Sequence, residues 1–321
     1  MEPFESPIPL EAIRAARGRI AGVALRTPLV RLNVDDAPAE IFLKLENLQP
    51  VGSFKIRGAS NAIAIAPRER LARGVWTASA GNMGQGLAWQ ARRLALQCTV
   101  VVPDHAPETK LAALDRLGAR VLKAPFAEWF EILRTHAYPG MEGHFVHPVS
   151  DAAVMAGNGT IGLEILEDLP EVDAIVIPFG GGGLSCGIAS AVRSLKPQTR
   201  IFACEVETAA PFAAALAADS PQTIAYTPSF VDGIGSLFVL PEMWPLARRL
   251  LNGSLVMALG EVAAAVRLLL ERNRVLAEGA GATPVAAALS GRAGKGKVVC
   301  VVSGGNLDAG KLAAILRGEF R

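Results

Sequence analysis

Lys55 lies in the run Pro50-Val51-Gly52-Ser53-Phe54-Lys55-Ile56-Arg57-Gly58, held between apolar residues and a glycine turn. Beside Phe54 and Ile56 an ammonium loses hydration, so its charged form is disfavoured and its pKa falls. A neutral amine is a nucleophile, which makes Lys55 a candidate for Schiff-base chemistry. A lysine that snorkels along an apolar face would read the same way, so the rest of the chain has to supply what a lysine-bound cofactor needs.

The first such element is Gly180-Gly181-Gly182-Gly183, which follows the apolar run Ile175-Val176-Ile177-Pro178 and opens a helix near Leu184. Four glycines leave the backbone N–H groups free to converge. The helix N-terminus adds its positive end, and a phosphate suits both. A tight turn is the alternative, but four consecutive glycines carry an entropic cost that a turn alone seldom requires. A dinucleotide competes for the same loop, because Glu205 imitates the acid that binds a ribose. No G-x-G-x-x-G can be threaded through the run, since the sixth position falls on Ser185, Cys186 or later non-glycines, and a monophosphate is preferred.

Ser79-Ala80-Gly81-Asn82-Met83 marks a second strand-to-helix junction, suited to a substrate carboxylate, with Asn82 able to hydrogen-bond a phenolic oxygen. An Asn82 N-cap explains the same residues structurally. Ser303-Gly304-Gly305-Asn306 ends the last apolar strand, Val298 to Val302. Ligands collect at the carboxyl ends of such strands, which directs Ser303 toward a shared cleft.

Aliphatic runs of strand length alternate with alanine- and leucine-rich helical stretches, the pattern of an α/β protein with parallel sheets covered on both faces. Strands are predicted at Ile41 to Leu45, Val75 to Ala78, Thr99 to Val102, Arg120 to Lys123, Ala174 to Pro178, Ile201 to Glu205 and Val298 to Val302. Helices are predicted at Gln85 to Leu96, Glu108 to Leu117, Ala156 to Glu167, Leu184 to Leu195 and Glu261 to Arg272. A length of 321 residues exceeds one comfortable core. The expectation is a large domain from residues 1–70 and 148–321, with a small inserted α/β domain over 71–147, the chain returning through His144-Phe145-Val146-His147-Pro148.

A net charge of +2 argues against nucleic acid or an anionic membrane as partner. With no apolar segment of spanning length and no leader at the N-terminus, a cytoplasmic protein is expected. Cys98, Cys186, Cys204 and Cys300 are far apart and read as buried reduced thiols. Only His144 and His147 lie close together, with no carboxylate or thiol in ligand spacing, so no metal site is expected.

Taken in order, S-F-K-x-R-G-A at Ser53 to Ala59, S-x-G-N at Ser79 to Asn82, A-G-x-G-T-I at Ala156 to Ile161, the tetraglycine loop and S-G-G-N at Ser303 to Asn306 resemble the fold type II pyridoxal-phosphate enzymes. Within them the serine/threonine dehydratase and serine racemase branch is the nearest likeness. The resemblance implies two open twisted-sheet α/β domains with pyridoxal 5'-phosphate in the cleft between them. It implies that Lys55 forms the Schiff base and later moves the substrate Cα proton. It also implies that Asn82 contacts the phenolic oxygen, Phe54 lies against the pyridine ring, Gly180 to Leu184 hold the phosphate, and Ser303 faces the ring nitrogen. Ser79, Ala80, Gly81, Asn82 and Met83 would receive the substrate. A hydroxyl at Ser303 cannot keep that nitrogen protonated as an aspartate would, which favours fast loss of a β-leaving group. No Asp, Glu or His lies in these loops, so the cofactor phosphate is the implied proton donor to the departing hydroxyl.

Several positions depart from the family pattern. Racemases of this branch carry a serine where this chain has Ala80, and a methyl group cannot reprotonate Cα, so dehydration is expected over racemisation. Pro211 stands where metal-activated members have an acidic residue. Met83 and Val149 make the pocket more apolar and admit a bulkier β-substituent. There is no room after Ser303 for a C-terminal regulatory domain. The expected activity is β-elimination from a β-hydroxy amino acid such as threonine or serine, giving an α-keto acid and ammonia. The alternatives are a dehydratase for a phenylserine- or hydroxyaspartate-type substrate, a serine racemase or β-replacement enzyme, or a non-catalytic binder of cofactor or amino acid. The expected partner is a small-molecule amino acid, and the assembly a homodimer or higher homo-oligomer.

Overall fold

A computed structural model describes residues 2–320. Its strands are β1 Leu29–Arg31, β2 Glu40–Leu45, β3 Val75–Ala78, β4 Cys98–Pro103, β5 Arg120–Ala124, β6 His144–Phe145, β7 Ala174–Pro178, β8 Arg200–Val206, β9 Ser254–Met257 and β10 Lys297–Val302. The helices before the fifth strand's partner helix are α1 Leu10–Arg19, α2 Lys55–Ile65, α3 Arg68–Leu71, α4 Asn82–Arg93 and α5 Glu108–Arg116. After them come α6 Phe126–Thr135, α7 Ala152–Asp168, α8 Gly183–Leu195, α9 Pro211–Ala218, α10 Trp244–Leu250, α11 Leu259–Leu268, α12 Gly279–Leu289 and α13 Ala309–Arg317.

Six strands form a sheet in the order β1-β2-β10-β7-β8-β9, parallel throughout except for the antiparallel pair β1 and β2. Four others form an all-parallel sheet in the order β5-β4-β3-β6. The buried strands β3 and β7 have no exposed position, as expected of strands covered by helices on both faces. In each sheet neighbouring strands lead away in opposite directions, at β10 and β7 in one and at β3 and β6 in the other. The carboxyl ends at these reversals open a crevice, and Ser303, Gly180 and Ser79 stand there.

Every predicted strand is present, most of them longer by a residue at one or both ends. Three short ones, β1, β6 and β9, carry too few alternating apolar residues to announce themselves, and β6 replaces part of the expected return loop by pairing with β3. The helix starting at Asn82 begins before the predicted Gln85, and α11 ends at Leu268, with a π turn over Leu269–Asn273. Gly58 does not form a turn. It lies inside α2, which begins at Lys55 itself. All four cysteines are free and buried. Among the described residues no helix is long and apolar enough to cross a membrane.

Helix α2 packs against α4 on one side and α7 on the other, and Ala59, Ala62 and Ile63 join the core of the four-stranded sheet. Its contact with α7 is so close that a Cβ on Gly157 would lie 2.5 Å from the Arg57 carbonyl oxygen. Four charged side chains meet at that contact. Arg57 donates to Glu46 from Nε and Nη2, both at 2.8 Å, and from Nη1 to Glu164 Oε1 at 2.6 Å. Lys44 donates to Glu164 Oε2 at 2.6 Å, and Thr27 Oγ1 donates to Glu46 Oε1 at 2.6 Å. All four charged groups are buried. Burial pushes the Glu46 carboxyl up, but Arg57, Thr27 and Lys44 together outweigh it and hold it below the usual carboxylate range.

Replacing Arg57 by Met would keep volume but leave two buried carboxylates facing one lysine. The expected loss is about 3–5 kcal/mol, because an uncompensated charge remains in a dry site. Urea unfolding followed by circular dichroism measures it, and a loss below about 1 kcal/mol would show that water reaches the cluster.

Candidate active site

The Lys55 run is tied to the segment after β10. Ser53 and Gly304 form an antiparallel bridge, Phe54 N–H donates to the Ser303 carbonyl at 3.0 Å, and Gly305 N–H donates to the Gly52 carbonyl at 2.9 Å. These bonds bring Ser303, itself buried, beside the first turn of α2. Lys55 Nζ lies 5.1 Å from the Phe54 ring centroid and donates to the Pro148 carbonyl at 2.7 Å. Burial lowers its pKa to about 8, against a smaller upward pull from Glu278.

The four glycines follow β7 as read from the sequence. A Cβ on Gly181 would lie 2.6 Å from Val149 Cγ1, one on Gly183 would lie 2.7 Å from the Val149 carbonyl oxygen, and Gly182 has φ 95°, where side chains are strained. Gly182 is the N-cap of α8, so the free N–H groups of that helix start within the loop. Asn158 of α7 donates to the Gly183 carbonyl at 3.3 Å, and Leu184 is buried behind it.

At the other reversal Gly81, not Asn82, is the N-cap of α4, and its N–H donates to Ser79 Oγ at 3.3 Å. The Asn82 side chain is thereby free to reach across the cleft. Its Nδ2 donates to Glu278 Oε1 at 2.8 Å, and its Oδ1 accepts from Asn306 Nδ2 at 2.8 Å. Ala80 is partly exposed in the same loop. Met83 departs from expectation. Its side chain is buried in the core of the four-stranded sheet with Leu87, Val100 and Leu114, so it does not line the pocket. Val149 instead packs on the glycine loop.

Glu278 corrects the view that no acid reaches these loops. It occupies the N-cap position of α12 without capping it, and its backbone N–H donates to the Gly304 carbonyl at 3.0 Å. Burial, reinforced by Asp232, raises its pKa to about 7 against the Asn82 hydrogen bond. The signal in the sequence was an acid flanked by small residues, Ala277-Glu278-Gly279-Ala280-Gly281. Glu205 is spent elsewhere, accepting from the N–H groups of Phe212 and Ala213 at 2.8 Å each at the start of α9. Among the described residues no group of three or more His, Cys, Asp or Glu is arranged to hold a metal.

Lys55, Asn82, Ser303 and the glycine loop, scattered through the chain, therefore border one cleft between two sheets. Residues 20–304 match the family model described as pyridoxal-phosphate dependent enzyme. The chain is 40% identical over 315 residues to the L-threonine ammonia-lyase of Thermotoga maritima, covering 96% of this chain and 78% of that protein. It is 35% identical over 319 residues to the catabolic L-threonine dehydratase of Escherichia coli, covering 97% of each. Maize serine racemase superposes with a TM-score of 0.89 at 32% identity, covering 98% of both chains. The fold, the order of the motifs and these similarities agree, and the chain belongs to the pyridoxal-phosphate dependent enzyme family, with the fold type II architecture.

Proposed function

We propose that this enzyme dehydrates and deaminates L-threonine or L-serine, releasing an α-keto acid and ammonia, and that Lys55 carries the reaction. The observation on which the reading rests is a buried lysine, its amine lowered to about 8, that donates to the Pro148 carbonyl beside Val149, the residue packed on the glycine loop, and that interacts electrostatically with Glu278. The L-threonine ammonia-lyase likeness supplies the substrate class. The two-lobe division, 1–70 with 148–321 and 71–147, is part of the same reading, as are a homo-oligomeric assembly and a cytoplasmic location.

The residues fit pyridoxal phosphate. Gly181 and Gly183 leave no room for a Cβ against Val149, so only glycine keeps this backbone bare, and Gly180 to Leu184 present a helix N-terminus to a dianion. Asn82 offers an amide to the phenolic oxygen, Phe54 an aromatic face and Ser303 a hydroxyl to the ring nitrogen. When bound, the cofactor supplies the electron-withdrawing ring that takes up charge from the substrate Cα. Lys55 anchors it and holds the Cα proton at Nζ once that proton leaves. The Cβ–oxygen bond breaks, the hydroxyl takes up one proton, balancing the one lost from Cα, and departs as water, and the unsaturated amine left behind tautomerises to an imine that one water hydrolyses to keto acid and ammonia. The N–H groups of the Ser79–Asn82 loop orient the substrate carboxylate. Glu278 can hold a proton near neutrality within the same cleft.

The serine racemase likeness gives a second reading. Ala80 weighs against it, because a methyl group opposite the lysine can neither take nor return a proton.

Three measurements test the assignment. Keto-acid release should be found with threonine or serine and lost in Lys55→Ala; a variant that keeps activity after dialysis against free amine would refute Lys55. The rate at which cofactor-free protein forms its lysine–pyridoxal bond should rise with pH to a plateau, with a midpoint near 8, because only the neutral amine reacts. At pH 7.5 about a quarter of such an amine is neutral, against about one part in a thousand for an ordinary lysine, so a midpoint above 10 would remove the electrostatic argument. Ala80→Ser should raise D-serine formation relative to pyruvate release from L-serine, read by chiral chromatography. An unmodified protein that already racemises faster than it eliminates would make the racemase reading the correct one.

A further inference from the structure

We infer that His147 is a positioning residue for the proposed site: its ring holds the segment Pro148–Ser150, which touches both Lys55 and the glycine loop. This rests on the reading of Lys55 above. The imidazole Nε2 lies 3.1 Å from the Leu133 carbonyl, which only accepts, so Nε2 carries the hydrogen. Nδ1 is then an acceptor, and three donors converge on it: Val149 N–H at 3.0 Å, Ser150 N–H at 2.7 Å and Ser150 Oγ at 3.1 Å. The ring is buried and stacked on His136, with centroids 4.5 Å apart.

Each residue of the tethered segment has its own task. The Pro148 carbonyl accepts from Lys55 Nζ at 2.7 Å. The Val149 side chain and carbonyl close the space beside Gly181 and Gly183. Ser150 leads into Asp151, whose carboxylate caps α7 at Ala153 and Val154. Pro148 has no N–H, so the amides of Val149 and Ser150 are the first that can tie the segment down after the turn. One ring therefore links α6, which supplies Leu133, to both halves of the cofactor site. Burial, with His136 and Lys55 as nearby positive groups, lowers the His147 pKa to about 3, so Nδ1 remains an acceptor across the pH range in which Lys55 titrates.

The test compares His147→Asn with His147→Gln in the holoenzyme. Asparagine keeps an acceptor at the δ position, facing the two amides. Glutamine keeps a polar atom only near Leu133 and leaves the amides unpaired. Cofactor affinity and the pH midpoint of the visible absorbance of the lysine–pyridoxal bond are both read. H147N should stay within about threefold of the parent, and H147Q should bind cofactor about tenfold more weakly. The H147Q midpoint should also move upward, since water entering a loosened site favours the charged nitrogen. Equal effects in both variants, or no change in either, would overturn the proposal, since a merely structural histidine would not separate them. If H147Q does not fold, Ser150→Ala is read in its place. It removes one donor to the same nitrogen and should shift the midpoint the same way by less, and no shift overturns the proposal. Cofactor retention by Lys55→Ala would instead strike the reading of the site itself.

Discussion

The position of the reactive amine depends on a guanidinium two residues away. Arg57 is fixed by Glu46, at the end of β2, and by Glu164, on α7, while Lys44 completes the charge balance. A planar fork between two carboxylates fixes direction as well as distance. Sliding α2 along α7 would strip two buried anions of their partners, which costs more than any single packing contact on the helix contributes. The first turn of α2, and with it Lys55, is consequently held to both the six-stranded sheet and α7. Its desolvation follows from that rigidity, because an amine on a mobile loop would swing out and recover its hydration.

Burial acts on the two titratable groups of the cleft with opposite signs. It lowers the cation Lys55 and raises the anion Glu278, bringing both within about a unit of neutrality. Their mutual attraction opposes both shifts, and burial still dominates. Asp232 adds to the rise at Glu278, while Lys110 offsets part of it. Groups shifted toward neutrality in this way are suited to acid–base work near neutral pH.

The sequence disclosed what is local and repetitive. β3 and β7 are legible because both faces are covered and every position is apolar or small, and the glycine loop is legible because it is contiguous. Helix α2 was hidden: no helix is predicted over Lys55–Ile65, where it packs against α4 and α7. Glu278 was hidden for a different reason. Its partner Asn82 is 196 residues away, and no periodicity marks a single acid turned inward from a helix start. Met83 misled because consecutive residues of a helix point about 100° apart; Asn82 reaches Glu278 and Asn306 while Met83 turns into the core.

What joins the two sheets at the cleft mouth is weaker than what holds α2. Lys110 on α5 reaches Asp232 at 3.1 Å, with both side chains about one-third exposed, and Phe130 on α6 meets Phe238 edge-on at 5.4 Å. An ion pair that exposed contributes about 1 kcal/mol or less. An aromatic pair adds about 0.5–1.5 kcal/mol beyond its area. Both contacts fall on the segment from Asp232 to Phe238, whose Ile234 lies against Gly180. These two contacts together contribute a few kcal/mol at most, whereas displacing Arg57 costs several for one side chain alone. The structure thus sets the lysine and its pKa with buried, paired charges, and holds the segment from Asp232 to Phe238 to α5 and α6 with a part-exposed ion pair and an aromatic contact. Substrate access and catalytic geometry can therefore be governed by different contacts.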